Sequence, residues 1–170
     1  MNVRERASLT LACAASALLL LPLVPGAGEA HAQMTMTLQS AGRDDGVSAI
    51  LESYEHAIMI PEDAVAARAS GRRVHAPFTV RKRVDRATPL LYRAMTASET
   101  IPSVRIRVPT SRGRAGEPVI ITLTNARIVS IRSGSRPEED VAHEEISFRY
   151  DAIAWSSADG SIEHTDDWSE

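Results

Sequence analysis

Short runs in which apolar and polar residues alternate are the feature that most constrains how this chain folds. Clear examples are "MTMTLQ" (34–39), "FTVRKRV" (78–84) and "SVRIRV" (103–108). Alternation of this kind is typical of β-strands that bury one face and expose the other. Three further segments have strand-like composition: 118–132, 145–155 and 161–165. Many short strands at close spacing predict a mainly β domain, a small and mostly antiparallel barrel or sandwich.

The pattern changes from strand to helix within a single stretch, Pro77–Met95. Its first half alternates, with the arginines expected to face water. In its second half the apolar residues have helical spacing and form a narrow stripe: Leu90, Leu91, Ala94 and Met95. Thr88 suits the N-cap, and Pro89 suits the first helical position. We therefore expect one helix that runs to about Ala97 and packs on the β-structure, with Leu91 facing the sheet.

The strand pattern slips at two places in the second half of the chain. Alternation changes parity at Asn125-Ala126 within 118–132, which predicts a bulge or a corner. A second change within 145–155 precedes Ile153, after Ile146, Phe148 and Tyr150 have shared one face. Polar, glycine-containing stretches predict the connecting loops: 40–46, 110–117 and 133–144.

Two segments fit more than one structure. Segment 47–60 fits a helix or a strand, and its Ile and Tyr content, with Pro61 after it, favours a bent or bulged strand. Segment 61–73 fits a short helix that begins at Pro61, with acidic residues in its first turn, or a long connecting loop.

The first residues have the pattern of a secretory signal peptide. Arg4 and Arg6 precede a leucine-rich apolar run, and Ala30 and Ala32 occupy the small-residue positions of a cleavage site. We therefore expect cleavage after Ala32, with residues 1–32 removed.

A retained membrane anchor is the alternative interpretation of this segment. Pro22, Pro25 and Gly26 interrupt the apolar run, which is also short for a membrane span. Cleavage would leave 33–170 as one domain without cysteine, since Cys13 is the only one. Such a domain has neither disulfides nor thiolate metal sites. The net charge of −3 also argues against nucleic acid as the main partner.

Charge is distributed unevenly along the chain. Residues 68–93 are strongly basic, and the chain from 138 onward is acidic. Two solvated faces of opposite sign are one explanation. The other is that the basic stretch of one copy contacts the acidic tail of the next copy in an oligomer. The residues expected to take part are Arg72, Arg81, Arg83, Asp159, Asp166 and Asp167.

Metal-binding patterns are weak. "HEEIS" (143–147) begins like a zinc-protease motif, but Ser147 replaces the second histidine and the context is a strand. His164 with Asp166 and Asp167 would supply metal ligands, although a hydrated acidic tail explains these residues more simply.

Other candidate chemical residues do not form a recognisable set. His56 and His75 are isolated in the sequence and are expected to be ordinary surface residues. Glu52 and Glu55 have no evident partner acid across a cleft. We therefore expect no catalytic, cofactor or metal site, and a binding or building module rather than an enzyme.

Four sequence blocks together resemble the Hcp family, the tube proteins of type VI secretion systems. The blocks are "HAPFTVRKRVDRATPLLYRAM", "ITLTNARIVSIR", "EEISFRYDAIAW" and "IEHTDDW". The resemblance covers most of 75–168. It implies a small β-barrel of two sheets with one packed helix. It also implies hexameric rings that stack into a hollow tube, with the sheath, the spike and effector proteins as further partners.

The chain departs from the family pattern at two places. A cleavable signal is unusual in the family, so the protein is either sent to the periplasm or secreted, or its true start is Met34 or Met36. In the second case it would assemble in the cytoplasm before secretion. The match is poor over 43–74, where the family has a second strand and an assembly loop that commonly mediates ring-to-ring contacts. The alternative function is a free-standing periplasmic or secreted ring that binds a protein ligand.

Overall fold

A computed structural model describes six stretches of the chain: 33–39, 46–63, 68–69, 72–110, 116–135 and 140–167. The predicted signal segment, 1–32, lies outside the described residues. So do most of the predicted loop 40–46 and the centre of the predicted loop 110–117.

Within these stretches the chain forms thirteen strands and one helix. The strands are β1 (Met34–Gln39), β2 (Val47–Leu51), β3 (Ser53–Glu55), β4 (Ile58–Met59), β5 (Glu62–Asp63), β6 (Arg68–Ala69), β7 (Val74–His75), β8 (Phe78–Arg83), β9 (Ile101–Val108), β10 (Val119–Gly134), β11 (His143–Arg149), β12 (Ala152–Ser157) and β13 (Glu163–Asp167). The helix, α1, spans Thr88–Thr96.

All strand pairs among the described residues are antiparallel. Neighbouring strands follow the order β2-β1-β9-β10-β11-β8-β3, and β12 and β13 continue the sheet from β10. Only Glu52 separates β2 from β3, so the two ends of this path adjoin in the chain. This arrangement confirms the predicted mainly β fold of two antiparallel sheets with one helix. The two sheets do not close into a complete barrel.

Strand β10 belongs to both sheets because it bends at Asn125. Its first half pairs with β9 and β12, and residues 127–134 pair with β11. Asn125 has a φ of 51°, a left-handed conformation that asparagine tolerates better than most residues. The buried positions change from Ile121 and Leu123 to Ala126 and Ile128 across this residue. The structure confirms the corner that the sequence predicts here.

The segment predicted as one strand over 145–155 forms two strands, β11 and β12. Their buried residues change parity between Tyr150 and Ile153, as predicted. The predicted loop 133–144 is too long at both ends, because β10 continues to Gly134 and β11 begins at His143. Backbone pairing between β10 and β11 extends to these residues, although their polar side chains are typical of a loop.

Segment 47–60 forms three short strands, β2, β3 and β4, with a bend at Glu52, which confirms the strand interpretation over the helical one. In segment 61–73 the described residues include β5 and β6, which pair with each other. Of the two structures that fit this segment, the short helix beginning at Pro61 is therefore wrong for the residues that the structure describes, which pair as strands.

The predicted helix is confirmed as α1, which packs against β10. Leu91 is 1% exposed and Ala94 is also buried, so the apolar stripe faces the sheet as expected. The predicted N-cap is wrong by one residue, because Ala87 occupies that position without a side-chain cap. Thr88 is the first helical residue, and its hydroxyl bonds elsewhere.

The core fills the space between the two sheets and under the helix. Its completely buried apolar residues come from six strands: Met36, Phe78, Val80, Val104, Ile106, Leu123, Ala126, Ile146, Phe148 and Ile153. No helix among the described residues is long and apolar enough to cross a membrane.

Candidate functional site

A small extension built from two pairs of short strands carries a run of exposed apolar residues. We name it the arm and define it as residues 58–63, 68–69 and 72–75. Within it β4 pairs with β7 and β5 pairs with β6, and neither pair joins the nine-stranded sheet. The exposed apolar residues of the arm are Ile58, Met59, Ile60 and Val74, of which Met59 and Ile60 are each 58% exposed. Met59 and Val74 are paired across β4 and β7, and exposed apolar surface of this kind often marks a contact with another protein.

Two histidines lie at the base of the arm, one on each side. His56 precedes β4, and His75 ends β7. Both contact the hydroxyl of Tyr150, which lies between β11 and β12. The His56 Nε2–Tyr150 Oη distance is 2.6 Å, and the His75 Nδ1–Tyr150 Oη distance is 3.0 Å. One buried hydroxyl therefore connects both sides of the arm to the body of the domain.

Asp166 on β13 completes this cluster. One of its carboxylate oxygens accepts a hydrogen bond from Arg73, and the other lies 3.2 Å from His75 Nε2. The guanidinium of Arg73 also donates to the backbone oxygen of Asp167 over 3.2 Å. Asp166 is buried, and these contacts compensate its charge within its own chain.

The cluster alters the acid–base properties of its members. Burial and the nearby charge of His75 lower the pKa of His56 below its usual value. Burial and the negative charge of Asp166 raise the pKa of Tyr150. The hydroxyl therefore stays protonated and can donate one hydrogen bond while it accepts another.

These contacts correct three expectations drawn from the sequence. The prediction that His56 and His75 are isolated surface residues is wrong, because the fold brings them together on Tyr150. Asp166 is neither a hydrated tail residue nor available to a neighbouring copy, since Arg73 and His75 engage it. His164 does not join Asp166 but stacks on Trp155, with ring centroids 5.9 Å apart. No group of three metal-binding side chains forms among the described residues.

A second buried polar cluster joins β8, β11 and the start of α1. Lys82 Nζ lies 2.7 Å from Glu144 Oε1 and 2.8 Å from Asp85 Oδ1, and it donates to the backbone oxygen of Arg83 over 2.7 Å. Thr88 also donates to Glu144 Oε1, over 2.7 Å. The side chains of Lys82 and Glu144 are both 0% exposed. The cluster therefore ties the strand-to-helix junction to the sheet.

The sequence contained a signal for this second cluster. Lys82 shares the parity of Phe78 and Val80 in β8, so strict alternation places it on the buried face. A lysine on an apolar face needs a buried acidic partner. The identity of that partner, Glu144, depends on the pairing of β8 with β11.

Glu52 forms a third polar contact, at the bend between β2 and β3. It accepts hydrogen bonds from Arg83 Nε at 3.2 Å and His143 Nε2 at 3.0 Å, and it lies 3.5 Å from Arg81 Nε. Burial alone would raise the pKa of Glu52, but the bonds from Arg83 and His143 outweigh it and lower that pKa. Arg81 and Arg83, expected to face the tail of another copy, thus have a partner in their own chain.

The nine-stranded sheet has open edges in the part of the chain that the structure describes. Strand β2 pairs only with β1, and β13 pairs only with β12. An unpaired edge exposes backbone hydrogen-bonding groups and is a common site of strand or subunit contact. The fold therefore offers contact surfaces at its edges and on its arm.

Comparison with known proteins gives a consistent result. A family model described as "Type VI secretion system effector, Hcp" matches residues 28–156. The "Major exported protein" of Pseudomonas aeruginosa is 32% identical over 135 residues, which cover 75% of this chain and 77% of that protein.

Solved structures share the fold. A crystal structure of an Hcp protein has a TM-score of 0.69 at 20% identity, covering 80% of this chain and 99% of that chain. Hcp1 from the E. coli EAEC 042 pathovar has a TM-score of 0.67 at 26% identity, covering 80% and 98%. Hcp3 from Pseudomonas aeruginosa has a TM-score of 0.62 at 22% identity, covering 81% and 99%. The extent of the family match, with the identity to the exported protein, shows that this chain belongs to the Hcp family of type VI secretion systems.

Proposed function

We propose that this protein is a structural subunit that forms hexameric rings, which stack into a secreted type VI tube. The observation that carries the proposal is the apolar surface of the arm, within an Hcp fold. Ile58, Met59 and Ile60 remain in water in the single chain. Contact with another copy would remove this surface from water, at about 25 cal/mol per Å² of apolar area.

The open edges of the sheet support the ring itself. Identical subunits that meet around a closed ring can cover β2 and β13 without leaving an unpaired end. In this proposal the ring acts as a carrier rather than an enzyme, with no cofactor, and the sheath, the spike and effector proteins are its further partners.

A substitution in the arm tests the stacking step. Met59→Glu places a charge among the exposed apolar residues of the arm without disturbing the core. Rings should therefore form but not stack. Sedimentation velocity would separate single rings from stacks, and negative-stain electron microscopy would show tubes directly. Ile162→Glu is the matched control, because Ile162 is also apolar and is 74% exposed but lies outside the arm. Stacking by Met59→Glu that equals the wild-type level would contradict the role of the arm.

A free-standing periplasmic or secreted ring that binds a protein ligand is the second candidate function. The signal-like pattern of 1–32, with Ala30 and Ala32 at the cleavage positions, favours it. Mass spectrometry of the native N-terminus distinguishes the two routes. A protein that begins at Gln33 has been processed by signal peptidase, whereas one that begins at Met34 or Thr35 has started at the internal methionine.

A further inference from the structure

The cluster at the base of the arm joins two separate parts of the fold. His56 lies just before the arm and His75 ends it, while Tyr150 and Asp166 belong to the body. Asp166 lies on β13, beyond residue 156, where the family match ends. We propose that this cluster is a protonation-controlled latch, which holds the arm on the body when the histidines are neutral and releases it when both are protonated.

A consistent set of hydrogen bonds exists when both imidazoles are neutral. His56 Nε2–H donates to the hydroxyl of Tyr150 across 2.6 Å, and that hydroxyl donates to His75 Nδ1 across 3.0 Å. The proton of His75 is then on Nε2, 3.2 Å from the carboxylate of Asp166. The two imidazole nitrogens that contact the hydroxyl then have complementary roles, one as donor and one as acceptor.

Protonation of both histidines removes this complementarity. Each ring would then direct an N–H toward the same hydroxyl, so the hydroxyl would lose the nitrogen that accepted its own hydrogen. Two positive charges would also face each other across 6.1 Å between ring centroids, in a partly buried site. Repulsion and the lost bond both oppose docking of the arm base.

The surrounding groups determine how a positive charge on each histidine would be balanced. The carboxylate of Asp166 lies 3.2 Å from His75 Nε2, and Arg73 also pairs with that carboxylate. His56 faces the aromatic rings of Phe78 and Trp155, with centroids 5.4 and 6.0 Å away. Neither ring carries a charge that could balance an imidazolium. A proton on His56 is therefore in an unfavourable, partly buried environment.

The direction of the pH effect follows from the lowered pKa of His56. A released arm exposes His56 to water, where its pKa returns toward 6.5. The released state then binds the proton more tightly than the docked state, so docking is fully favoured above that value and weakens as pH falls through it. Linkage to one proton changes the docking equilibrium by up to about tenfold per pH unit in the affected range.

The consequence for assembly depends on the proposed function. The latch orients the exposed apolar residues Ile58, Met59 and Ile60. The proposed function places these residues between stacked rings. Acidification would therefore loosen the stacking surface while the core of each subunit stays folded.

Methyl NMR on the full chain tests the latch directly. The probes are the methyl groups of Ile58 and Met59 in the arm, with Ile146 in the core as the reference. Between about pH 7.5 and pH 5, the arm signals should shift reversibly with a midpoint below that of free histidine, and Ile146 should not shift. Arm signals that do not change over this range would overturn the proposal.

Three variants make the test specific. Tyr150→Phe should place the arm signals at their low-pH positions even at neutral pH, and neutral-pH positions in this variant would contradict the latch. His56→Gln keeps a donor but loses the titrating group, so its arm signals should not titrate above about pH 5. Wild-type titration in His56→Gln would also overturn the proposal. His164→Gln is the control and should give the wild-type titration of the arm signals, because His164 stacks on Trp155, whereas His56 and His75 bond the hydroxyl of Tyr150. Loss of the titration in this control would assign the effect to His164.

Sedimentation velocity in the same buffers separates this inference from the proposed function. If rings form but the arm signals do not change with pH, the latch is wrong and the proposed function is unaffected. The absence of any ring at neutral pH would contradict the proposed function, and the arm signals would still decide whether the latch exists.

Discussion

Replacement of Lys82 with methionine would remove the cation from the most deeply buried ion pair in the described structure. Methionine has a similar length and no charge, so the change leaves little empty space. Asp85 has a side chain that is 37% exposed, so water can hydrate it when Lys82 is lost. Glu144 is completely buried and would retain only the hydrogen bond from Thr88.

The expected cost follows from that burial. Breaking a buried pair by removing one partner typically costs about 3–5 kcal/mol, because a charge is left without compensation. Replacing both partners with apolar residues is often neutral. Lys82→Met with Glu144→Leu should therefore be within about 1 kcal/mol of the wild type, the residual cost coming from the lost bond to Thr88.

Urea denaturation followed by circular dichroism would measure these differences. Arg132→Met is the matched control, because the Arg132–Glu145 pair joins strands in the same sheet but is largely exposed. That control should lose no more than about 1 kcal/mol. A Lys82→Met variant that loses less than about 1 kcal/mol, or a double variant less stable than the single one, would refute the reasoning.

Three other predictions concern the fold and its charges. Leu91→Ala should destabilise the domain by about 2–5 kcal/mol, because Leu91 lies on the buried face of α1 and is 1% exposed. A loss well under about 1 kcal/mol in thermal or urea unfolding would mean that the helix does not cover the core. Asn125→Gly should have little effect at the bend of β10, whereas Asn125→Val should cost more than about 1 kcal/mol because of the positive φ; equal stabilities would contradict a left-handed corner. The pKa of Glu52 is lowered in the folded state, so its contribution is present above its unfolded pKa and is lost as pH falls toward the folded value. Glu52→Gln should therefore reduce the acid sensitivity of unfolding, measured by urea midpoints between about pH 3 and 6, and an unchanged profile would refute this.

Periodicity is sufficient to predict several of the main strands and the helix because it depends only on neighbouring residues. Alternation predicts β1, β8 and β9, and helical spacing places Leu91 on the buried face of α1. The slip at Asn125 was also visible, since a change of parity within an apolar run requires a bend.

The polar clusters could not be predicted in the same way, because they depend on contacts between distant segments. Tyr150 lies 94 residues from His56 and 75 residues from His75. Arg73 lies 93 residues from Asp166. Only the topology of the two sheets brings these side chains together. For the same reason the sequence leaves both explanations of the charge asymmetry open, solvated faces or contacts between copies, whereas the structure pairs Asp166 with Arg73 in one chain.

The revised position of Asp166 changes how contacts between copies should be tested. A lysine at this position would disrupt the base of the arm within its own subunit, so it cannot report on pairing between subunits. Asp159 is fully exposed, and its hydrogen bonds from Ser157 and Ser161 lower its pKa to about 2. Asp159→Lys is therefore the cleaner test of whether the acidic tail contributes to stacking.

Multi-angle light scattering on the purified protein tests the central claim most directly. The account predicts a particle with six times the mass of one chain at moderate salt, with larger species when rings stack. A strictly monomeric particle at high protein concentration would contradict the assignment of this chain as a ring-forming tube subunit.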